Sequence, residues 1–417
     1  MKVAFICTLY TPNEIGGAER AMRIMAETLV ARGHQAVVIS LNPDGVYSQA
    51  QINGVIVHYV PLANVYWPHA SVEQRPAWKR AIWHLIDAYN PVMGARVRRI
   101  LAAERPDVVE TNNLQGFSVS AWRAARQLGI PVVQVTHDYY LGCPNSTMTR
   151  GGHNCVNQCA GCRVYGLPRR RLSSIPSVVS SVSRRTLERL ESCGLFTRVA
   201  TKTVVPTAFE AHHARQPRPD KPPGTALTIG FMGRLEQIKG IEVLLSAMRD
   251  VPQGDVTLLV AGNGDPAYAD PLKRTFARPN IRFLGFVTPE SFFRRIDLLI
   301  VPSIWEEPLG RVIFEGFSYG VPAIVSRRGG MPEIVEHGVT GYVIEPESPR
   351  AVADQLNDLV RRGLPAARFG AACCTRSAQF GVDGVFKAHM ANWQTAIAGA
   401  RVPTNYVAIV PDQEEII

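Results

Sequence analysis

Short apolar segments alternate with helical segments along most of the chain, and this alternation restricts the possible folds more than any other feature. Residues 2–9 are rich in apolar and β-branched side chains, as expected for a strand that is buried on both faces. Gly16-Gly17 follows, and residues 18–32 then carry apolar side chains at helical spacing. Strands that alternate with helices of about 10–15 residues indicate βαβ units and a mostly parallel sheet, so we predict an α/β fold.

The same alternation returns in the second half of the chain, after two interruptions. Residues 139–172 show no clear period and are interpreted as an insertion, and the polar, proline-rich residues 210–224 are interpreted as a linker between two domains. Ligands of open α/β sheets bind at the carboxyl ends of the strands, so we expect the site in a cleft between the domains. Further strands are predicted at residues 35–41, 54–60, 107–111, 132–136, 227–232, 256–261, 281–284, 298–301, 323–326 and 341–344, and further helices at residues 78–103, 118–128 and 241–249.

The positive charge of the chain is unevenly distributed. Lys and Arg number 45 against 35 Asp and Glu, and residues 1–224 carry the whole excess, with a net charge of +12 against −2 for the remainder. Such a field favours an anionic partner, namely a nucleic acid, a membrane surface or a phosphorylated substrate. No apolar run reaches the roughly 18 residues of a membrane span, and no signal peptide is recognisable. We therefore expect a cytoplasmic protein whose cysteines are reduced thiols or metal ligands.

A glycine-rich segment, residues 230–240, joins a predicted strand to a predicted helix. Gly233 lets the backbone approach a ligand closely, and the helix start that follows presents free N–H groups and a partial positive charge. Arg234 can contact phosphate oxygens through two N–H groups, and Lys239 can add a point charge. The segment therefore suits a phosphate group, although a tight turn with two solvated cations would have the same sequence.

Two glutamates, Glu307 and Glu315, lie where a predicted strand leads into a helix that begins near Gly310. A carboxylate at position 315, about one and a half turns into the helix, can accept hydrogen bonds from vicinal hydroxyls such as those of a ribose. The backbone amides of Leu309, Gly310 and Arg311 can hold a pyrophosphate. The alternative is an acidic residue at the helix N-terminus together with an ordinary helix glutamate, which the helix dipole alone would favour.

These segments resemble the donor half of the family 4 glycosyltransferases, which have the GT-B fold. The matching segments are GFMGRLEQIKG, LLVAGNGD, IRFLGFV, VPSIWEEPLGRVIFEGFSYGVPAIVS and GGMPEIVEHGVTGYVIEP, and Glu307 and Glu315 form the E-x7-E pair of the family. The resemblance is weaker but continuous over residues 1–207, through TLYTPNEIGGAER, QVTHDYY and SSVSRRTLERL.

The resemblance implies two Rossmann-like domains that face each other across a cleft. Residues 1–209 would form the acceptor-binding domain, and residues 225–375 would form the domain that binds the nucleotide sugar. A helix over residues 376–399 would pack back on the first domain, and residues 400–417 would form a tail.

The activity that the resemblance implies is the retaining transfer of a hexose from a nucleotide-diphosphate sugar, of the UDP or GDP type, in polysaccharide or glycolipid assembly. Arg234 and Lys239 would neutralise the departing diphosphate, Glu315 would bind the ribose hydroxyls, and Glu307 would face hydroxyls of the donor sugar. Electrostatic stabilisation would then dominate catalysis, with no catalytic metal or organic cofactor. No carboxylate is placed as a clear nucleophile, so a front-side mechanism is favoured over double displacement. The remaining donor contacts would come from backbone at Gly233, Phe286, Val287, Leu309, Gly310 and Arg311.

Two further positions of the first domain match the family. The loop at Gly16-Gly17 would close on the donor pyrophosphate, although a plain turn is the alternative. His137 would contact the donor sugar or position the acceptor, whereas a structural histidine capped by Asp138 is the alternative. Residues 205–210, VPTAFE, depart from the Val-Pro-Asn-Gly-Val-Asp of the family, so the contacts of that turn are in doubt.

Four cysteines, Cys143, Cys155, Cys159 and Cys162, lie within twenty residues of the insertion. In a reducing compartment this clustering predicts a tetrahedral structural zinc site, in which His153 can replace one ligand, or less readily an iron–sulfur cluster. Free cysteines in a loop are the alternative. Metal binding would explain how an insertion without periodicity is ordered.

A basic surface near the cysteines suggests where the acceptor binds. A solvated face is the usual meaning of such charges, but arginines with nearby tryptophans also suit anionic lipid headgroups, so a glycan or lipid-linked acceptor and binding at the inner face of the membrane are both considered. A GT-B epimerase or phosphorylase and a non-catalytic nucleotide-sugar-binding protein stay open as alternatives. Nucleic acid is not expected as a partner, because no recognition motif is present. The residues of this surface are Arg96, Arg98, Arg99, Arg163, Arg169, Arg170, Arg171, Arg184, Arg185 and Arg189, with Trp78 and Trp83.

Overall fold

The computed structural model describes residues 1–14, 16–69, 75–210, 219–399 and 407–408. The chain divides into two compact units. The first unit consists of residues 1–148, 155–208 and 382–417, and the second consists of residues 149–154 and 209–381.

The described residues form the following helices and strands. Residues 1–208 contain β1 (Lys2–Ile6), α1 (Gly17–Ala31), β2 (Gln35–Asn42), β3 (Ser48–Ile52), β4 (Val55–Pro61), α2 (Ala77–Ala88), α3 (Pro91–Glu104), β5 (Val108–Thr111), α4 (Ser120–Gln127), β6 (Val132–Thr136), β7 (Thr149–Arg150), β8 (His153–Asn154), α5 (Ala160–Leu172), β9 (Val178–Ser181), α6 (Arg184–Ser192) and β10 (Thr201–Val204). Residues 209–408 contain β11 (Leu227–Met232), α7 (Ile241–Ala247), β12 (Val256–Ala261), α8 (Pro266–Thr275), β13 (Ile281–Gly285), α9 (Pro289–Phe293), β14 (Leu298–Val301), α10 (Arg311–Ser318), β15 (Ala323–Ser326), α11 (Met331–Ile334), β16 (Gly341–Ile344), α12 (Pro349–Arg362), α13 (Ala366–Ala378), α14 (Val382–Ala398) and β17 (Val407–Ala408).

The sheet of the first unit has the strand order β17-β10-β9-β6-β5-β1-β2-β4-β3. Neighbouring strands are parallel except β3 and β4, which are antiparallel. The chain passes from β1 to β2 on one side and later adds β5 on the other side, so the strand order reverses between β1 and β5. Ligands of open α/β sheets bind at the carboxyl ends of the strands beside such a reversal.

The sheet of the second unit has the order β13-β12-β11-β14-β15-β16, and all its neighbouring strands are parallel. Its strand order reverses between β11 and β14, so the loops that follow these two strands occupy the expected ligand position. The predicted α/β architecture of two Rossmann-like domains is confirmed.

Each sheet is covered by helices that complete its own hydrophobic core. In the first unit, α14 contributes Trp393, which is fully buried and packs edge-on against Phe5 with 5.8 Å between ring centroids. In the second unit, Leu244, Leu298 and Leu356 are fully buried between the strands and helices. Burial of each such side chain contributes about 1.5–3 kcal/mol. Most strands are therefore buried on both faces and rich in apolar side chains, which is why most of them were predictable.

The predicted helix over residues 78–103 is in fact two helices, α2 and α3. The first ends at Ala88, and Asn90 caps the second, because its side-chain oxygen accepts a hydrogen bond from the Met93 N–H at 3.1 Å. Pro91 occupies the first turn of α3, where no intrahelical donor is needed. The apolar period continues across this break, so the period alone did not reveal it. Strands β9 and β10 were also not predicted.

The predicted insertion, residues 139–172, is only partly irregular. Its last third is α5, which Cys159 caps by accepting a hydrogen bond from the Cys162 N–H. Residues 149–154 form the hairpin of β7 and β8, which belongs to the second compact unit although the flanking residues belong to the first.

The C-terminal part also differs from the expectation. Residues 376–399 do not form one helix, because α13 ends at Ala378 in the second unit and α14 begins at Val382 in the first. Of the predicted linker, residues 211–218 lie outside the described residues, and Lys221 pairs with the backbone of Leu364 in the second unit. The predicted tail lies outside the described residues except for β17. Within the described part of the chain, no helix has the length and apolar character needed to cross a membrane.

Candidate active site

The loops that follow β11 and β14 meet at the reversal point of the second sheet. The N–H groups of Ile304 and Trp305 both donate to the carbonyl of Ile238, each at 3.1 Å. Gly240 is the last residue of the loop after β11 and has a φ of 69°. A Cβ atom at this position would overlap the carbonyl oxygen of Pro302, which directly follows β14. Only glycine fits such a close backbone approach, so Gly240, the last residue of the segment predicted to bind phosphate, allows the two loops to meet.

Lys239 and Glu307, which belong to these two loops, form an ion pair. Lys239 Nζ lies 2.5 Å from Glu307 Oε1, and the Ser303 hydroxyl donates to the same oxygen at 3.3 Å. Glu307 is only 8% exposed, and the ammonium lies 5.0 Å from the centre of the Trp305 ring. The Gly330 N–H donates to the Glu307 carbonyl at 2.8 Å, which holds its backbone. The structure therefore brings together two residues that the sequence places 68 positions apart.

Asn154 supports the glutamate loop and was not anticipated. Its side-chain N–H donates to the carbonyl of Ile304 at 2.6 Å, and its side-chain oxygen accepts from the Glu306 N–H at 3.1 Å. The amide thus satisfies one donor and one acceptor of the loop that carries Glu307. No local pattern signals this role, because Asn154 lies in β8, about 150 residues earlier in the chain.

Glu315 lies on the accessible side of α10. Gly310 precedes this helix with a φ of 86°, and Arg311 Nε lies 2.9 Å from Glu315 Oε1, one helical turn away. Phe314 and Phe317 are fully buried on the opposite side of the helix. Glu315 therefore lies at the surface of an otherwise apolar helix, with its carboxylate oriented by Arg311, and its role in binding a ribose stays a prediction.

The other predicted donor contacts are more exposed. Arg234 is mostly exposed, with 74% of its side chain accessible, and it pairs with Glu236 at 3.0 Å and not with the Glu307 loop. Gly233 lies at the end of β11, where its N–H pairs with the carbonyl at the end of β12. Phe286 is strongly exposed and Val287 is half-buried, both directly after β13. The structure therefore does not bring Arg234 into the Lys239–Glu307 pair.

In the first unit, the predicted residues follow β1 and β6, close to the reversal of the strand order between β1 and β5. Gly16 has extended backbone and precedes α1, which begins at Gly17. His137 directly follows β6, and its Nε2 lies 2.8 Å from the side-chain oxygen of Asn112, which directly follows β5. Asp138 does not cap His137, because its carboxylate accepts from the N–H of Tyr140 at 2.8 Å. The partner of His137 is therefore Asn112, which the sequence did not suggest.

Burial shifts the pKa values of both residues at the end of β6. Burial lowers the pKa of His137 to about 4; the charge of Glu110 opposes this shift and that of His389 reinforces it. Burial also raises the pKa of Asp138 to about 6, although the hydrogen bond from the Tyr140 N–H lowers this pKa. At neutral pH His137 is therefore a neutral imidazole, which is a hydrogen-bonding group and not a counter-ion.

One arginine of the predicted basic surface belongs to the core. Arg169 is fully buried, and its guanidinium lies 3.2 Å from the carboxylate of Asp87 and 4.1 Å from the centre of the Tyr140 ring. The same carboxylate accepts from the Tyr140 hydroxyl and from the Gly116 N–H, each at 2.6 Å. Trp83 is also buried. Their assignment to an exposed acceptor surface is therefore wrong.

Three of the four clustered cysteines lie close to one another. The thiol of Cys162 hydrogen-bonds with those of Cys143 and Cys159, which lowers the pKa of Cys143 and raises that of Cys162. Among the residues that the structure describes, however, no three His, Cys, Asp or Glu side chains are arranged to hold a metal ion. The zinc site of Cys143, Cys155, Cys159 and Cys162 stays a prediction.

Two family models match the chain, one in each half. Residues 15–221 match the model described as Glycosyltransferase Family 4, and residues 226–362 match the model described as Glycosyl transferases group 1. A protein of Klebsiella pneumoniae, named as an uncharacterized 42.6 kDa protein in the cps region, is 28% identical over 80% of this chain and 87% of its own. An uncharacterized glycosyltransferase of Methanocaldococcus jannaschii is 27% identical over 85% of this chain and 87% of its own.

Solved structures show the same fold. Anabaena HepE, solved in complex with UDP, has a TM-score of 0.68 at 19% identity, over 95% of this chain and all of its own. Sucrose-phosphate synthase of Thermosynechococcus elongatus has a TM-score of 0.72 at 17% identity, over 96% of this chain and all of its own. Both family matches fall on the units that carry the site residues described above. The chain belongs to the family 4 glycosyltransferases and has their GT-B fold.

Proposed function

We propose that the protein transfers a hexose from a nucleotide-diphosphate sugar to a glycan or lipid-linked acceptor, with retention of the anomeric configuration. The observation that carries this proposal is the Lys239–Glu307 ion pair at the reversal point of the second sheet. The Arg311–Glu315 pair lies on the helix that follows the same loop. Together these groups offer a cation for a diphosphate and a carboxylate for the hydroxyls of a ribose.

The first task of the site is to stabilise the diphosphate as it leaves. The Lys239 ammonium has three N–H donors, so it can bind a phosphate oxygen while it keeps its bond to Glu307. The N-terminus of α10 carries a partial positive charge that attracts anions. The exposed Arg234 side chain can rotate to add a second cation. This fixed positive potential lowers the barrier to departure of the diphosphate.

The ion pair also bears on the stereochemistry. Glu307 Oε1 is held by Lys239 and Ser303, so this carboxylate is a poor nucleophile toward the anomeric carbon. We therefore infer a front-side displacement. The acceptor oxygen bonds to the anomeric carbon on the face from which the diphosphate leaves, the bond from that carbon to the diphosphate breaks, and the acceptor proton passes to the departing phosphate oxygen.

Replacing Glu307 with Gln tests the proposal. The change keeps the shape of the side chain but removes the charge that holds Lys239, so transfer or donor hydrolysis is expected to fall about 100-fold or more. The matched control is Glu290→Gln, which neutralises an exposed glutamate on α9 of the same unit and is expected to leave turnover unchanged. Unchanged turnover in the Glu307 variant would refute the assigned role.

The donor is proposed to be of the UDP or GDP type. Support for UDP comes from HepE, whose structures were solved in complex with UDP and with UDP-glucose. The Klebsiella relative, named for its place in the cps region, supports a role in polysaccharide assembly. A thermal-shift panel of UDP, GDP and ADP with their sugars decides the base, because only a specific donor raises the apparent stability. No shift with any of them would contradict the proposal.

The acceptor is proposed to bind where α2 exposes apolar side chains. Trp78 and Leu85 are 61% and 62% exposed, and Ile82 between them lies on the same side of the helix. Lys79 and Arg80 flank this stripe and are exposed. Exposed apolar side chains with adjacent cations suit a membrane surface that contains anionic lipids.

Liposome sedimentation tests this surface. We expect the protein to pellet with vesicles that contain anionic lipid and to stay in solution with neutral vesicles. The double variant Trp78→Gln, Leu85→Gln should pellet less, and Val339→Gln, a partly exposed apolar position in the second unit, serves as the control. Equal partitioning of the wild-type protein to both kinds of vesicle would refute membrane binding.

We also propose that Cys143, Cys155, Cys159 and Cys162 bind a structural zinc ion. The proposal is supported by the hydrogen-bonded thiols of Cys143, Cys159 and Cys162, and by the preference of zinc for thiolate ligands. Metal analysis of the purified protein is expected to find about one zinc per chain, and Cys162→Ser should lose it while Cys374→Ser retains it. Absence of zinc from protein expressed with zinc in the medium would refute this site.

A further inference from the structure

A chain of hydrogen bonds runs through the core of the first unit from α14 to the end of β6. Its centre is Glu110 on β5, which is 1% exposed. Glu110 Oε2 accepts from His389 Nδ1 at 2.9 Å and from Trp393 Nε1 at 2.8 Å, and both residues belong to α14. Glu110 Oε1 accepts from the side-chain N–H of Asn112 at 3.2 Å. Burial of a carboxylate without hydrogen-bond partners costs free energy, so these three donors are needed to stabilise Glu110 in the core.

The partners of Glu110 keep it ionised. Burial alone would raise the pKa of this carboxyl, but the charge of His389 and the hydrogen bonds from His389, Trp393 and Asn112 outweigh burial and lower the pKa. An ionised carboxylate only accepts hydrogen bonds. The amide of Asn112 must therefore turn its NH2 group toward Glu110 and its oxygen away. The Asn112 carbonyl accepts from the Gln134 side chain at 3.1 Å, which holds the backbone of Asn112 in place.

The orientation of Asn112 determines which nitrogen of His137 carries the proton. The Asn112 oxygen, which can only accept, faces His137 Nε2 at 2.8 Å, so Nε2 carries the hydrogen. The imidazole is neutral, so Nδ1 is left with a bare lone pair. Among the described residues, this buried Nδ1 has no hydrogen-bond partner. A small cavity beside these groups is lined by the apolar side chains of Ala21, Met22 and Val135 and by the polar groups of the hydrogen-bond chain itself, Glu110, Asn112 and His389.

We propose that Glu110 and Asn112 are positioning residues that hold His137 in the Nε2–H tautomer, so that Nδ1 accepts a hydrogen bond from a hydroxyl of the donor sugar. A neutral acceptor selects a hydroxyl and rejects a phosphate or carboxylate oxygen, which has no proton to donate. His137 in the first unit is thereby specified for a sugar hydroxyl, whereas Lys239 in the second unit is suited to the anionic diphosphate. The proposal rests on the proposed glycosyl transfer.

We call the hydrogen-bonded series Glu110–Asn112–His137 the relay. The substitution Glu110→Gln tests it, because one carboxylate oxygen is replaced with an NH2 group. The two donors of α14 require the oxygen of the new amide, so its NH2 group faces Asn112. Asn112 must then turn its oxygen toward residue 110 and its NH2 group toward His137, which moves the imidazole proton from Nε2 to Nδ1. The relay therefore predicts a reversed tautomer at a residue that is not itself changed.

The tautomer can be read without any activity measurement, from long-range proton–nitrogen spectra of protein labelled with ¹⁵N-histidine. His137→Asn assigns the signals. The wild-type protein is expected to show a protonated Nε2 at His137, Glu110→Gln a protonated Nδ1, and Asn112→Leu a mixture of both. Trp393→Phe, which removes a donor to Glu110 but keeps its charge, is expected to keep the wild-type tautomer. An unchanged tautomer in both Glu110→Gln and Asn112→Leu would overturn the relay, whatever the protein transfers.

Kinetics then test the contact with the sugar. In Glu110→Gln, kcat/KM for the sugar nucleotide is expected to fall about 10- to 100-fold, because Nδ1 has lost its lone pair for the hydroxyl. Binding of the free nucleotide diphosphate, which lacks the sugar, is expected to stay unchanged, and this also shows that the variant folds. A reversed tautomer with unchanged kcat/KM would overturn the hydroxyl contact but leave the relay. Absence of turnover with any sugar nucleotide in the wild-type protein would instead refute the proposed function.

Discussion

The close approach at Gly240 supports the strongest prediction from this structure. An alanine at position 240 would have to keep a φ of 69°, which costs a residue with a Cβ atom roughly 1–2 kcal/mol. Its Cβ atom would also overlap the Pro302 carbonyl oxygen, so the loops after β11 and β14 would have to separate by at least about 1 Å to restore an ordinary contact. Forced repacking of this kind costs roughly a further 1–3 kcal/mol. We therefore expect Gly240→Ala to destabilise the protein by about 2–5 kcal/mol.

Gly338→Ala is the matched control, because Gly338 has a φ of 79° in the same unit but nothing within 4 Å of a Cβ atom. This variant should lose only the conformational part, about 1–2 kcal/mol. Urea denaturation compares the two variants through their midpoints at equal slope. Turnover is a second measurement: separation of Lys239 from Glu307 by about 1 Å is expected to cost about 100-fold in Gly240→Ala and nothing in Gly338→Ala. Equal destabilisation of both variants with full turnover would refute the reasoning.

Two further predictions concern buried charges in the first unit. Arg169→Met should lower the free energy of unfolding by about 3–5 kcal/mol, because it leaves the Asp87 carboxylate buried without its cation. The control Arg171→Met changes an exposed arginine of the same helix and should lower the free energy of unfolding by less than about 0.5 kcal/mol. Urea denaturation measures both values, and equal losses would contradict the assignment of Arg169 to the core. His137 has a folded-state pKa of about 4, below its ordinary value of 6.5, so the unfolded state binds more protons and stability should fall by up to about 3 kcal/mol between pH 6.5 and pH 4. His137→Gln should show a smaller loss than the wild-type protein over the same range in urea titrations, and identical pH dependence in the two proteins would sink the prediction.

Much of the architecture could be predicted from the sequence because parallel strands are buried on both faces. Segments such as residues 227–232 and 298–301 are mostly or entirely apolar, and the structure has strands with these same bounds. The helix break at Asn90 was not predicted, because the apolar period continues across it and only the cap and Pro91 mark it. The hairpin of residues 149–154 was not predicted either, since a short polar hairpin has no apolar face and takes its support from the Glu307 loop.

The sequence by itself determined which groups are candidates for function, because the spacing of Glu307 and Glu315, the basic loop at Lys239 and the histidine after β6 are local patterns tied to strand ends. Only the tertiary structure decided how these groups are paired. It placed Lys239 on Glu307, sent Arg169 into the core and left Arg234 in solvent. It also joined His137 to α14 through Glu110 and Asn112. The physical reason is that the charge state and tautomer of a buried group depend on the atoms that replace its water, and those atoms come from elements distant in the chain.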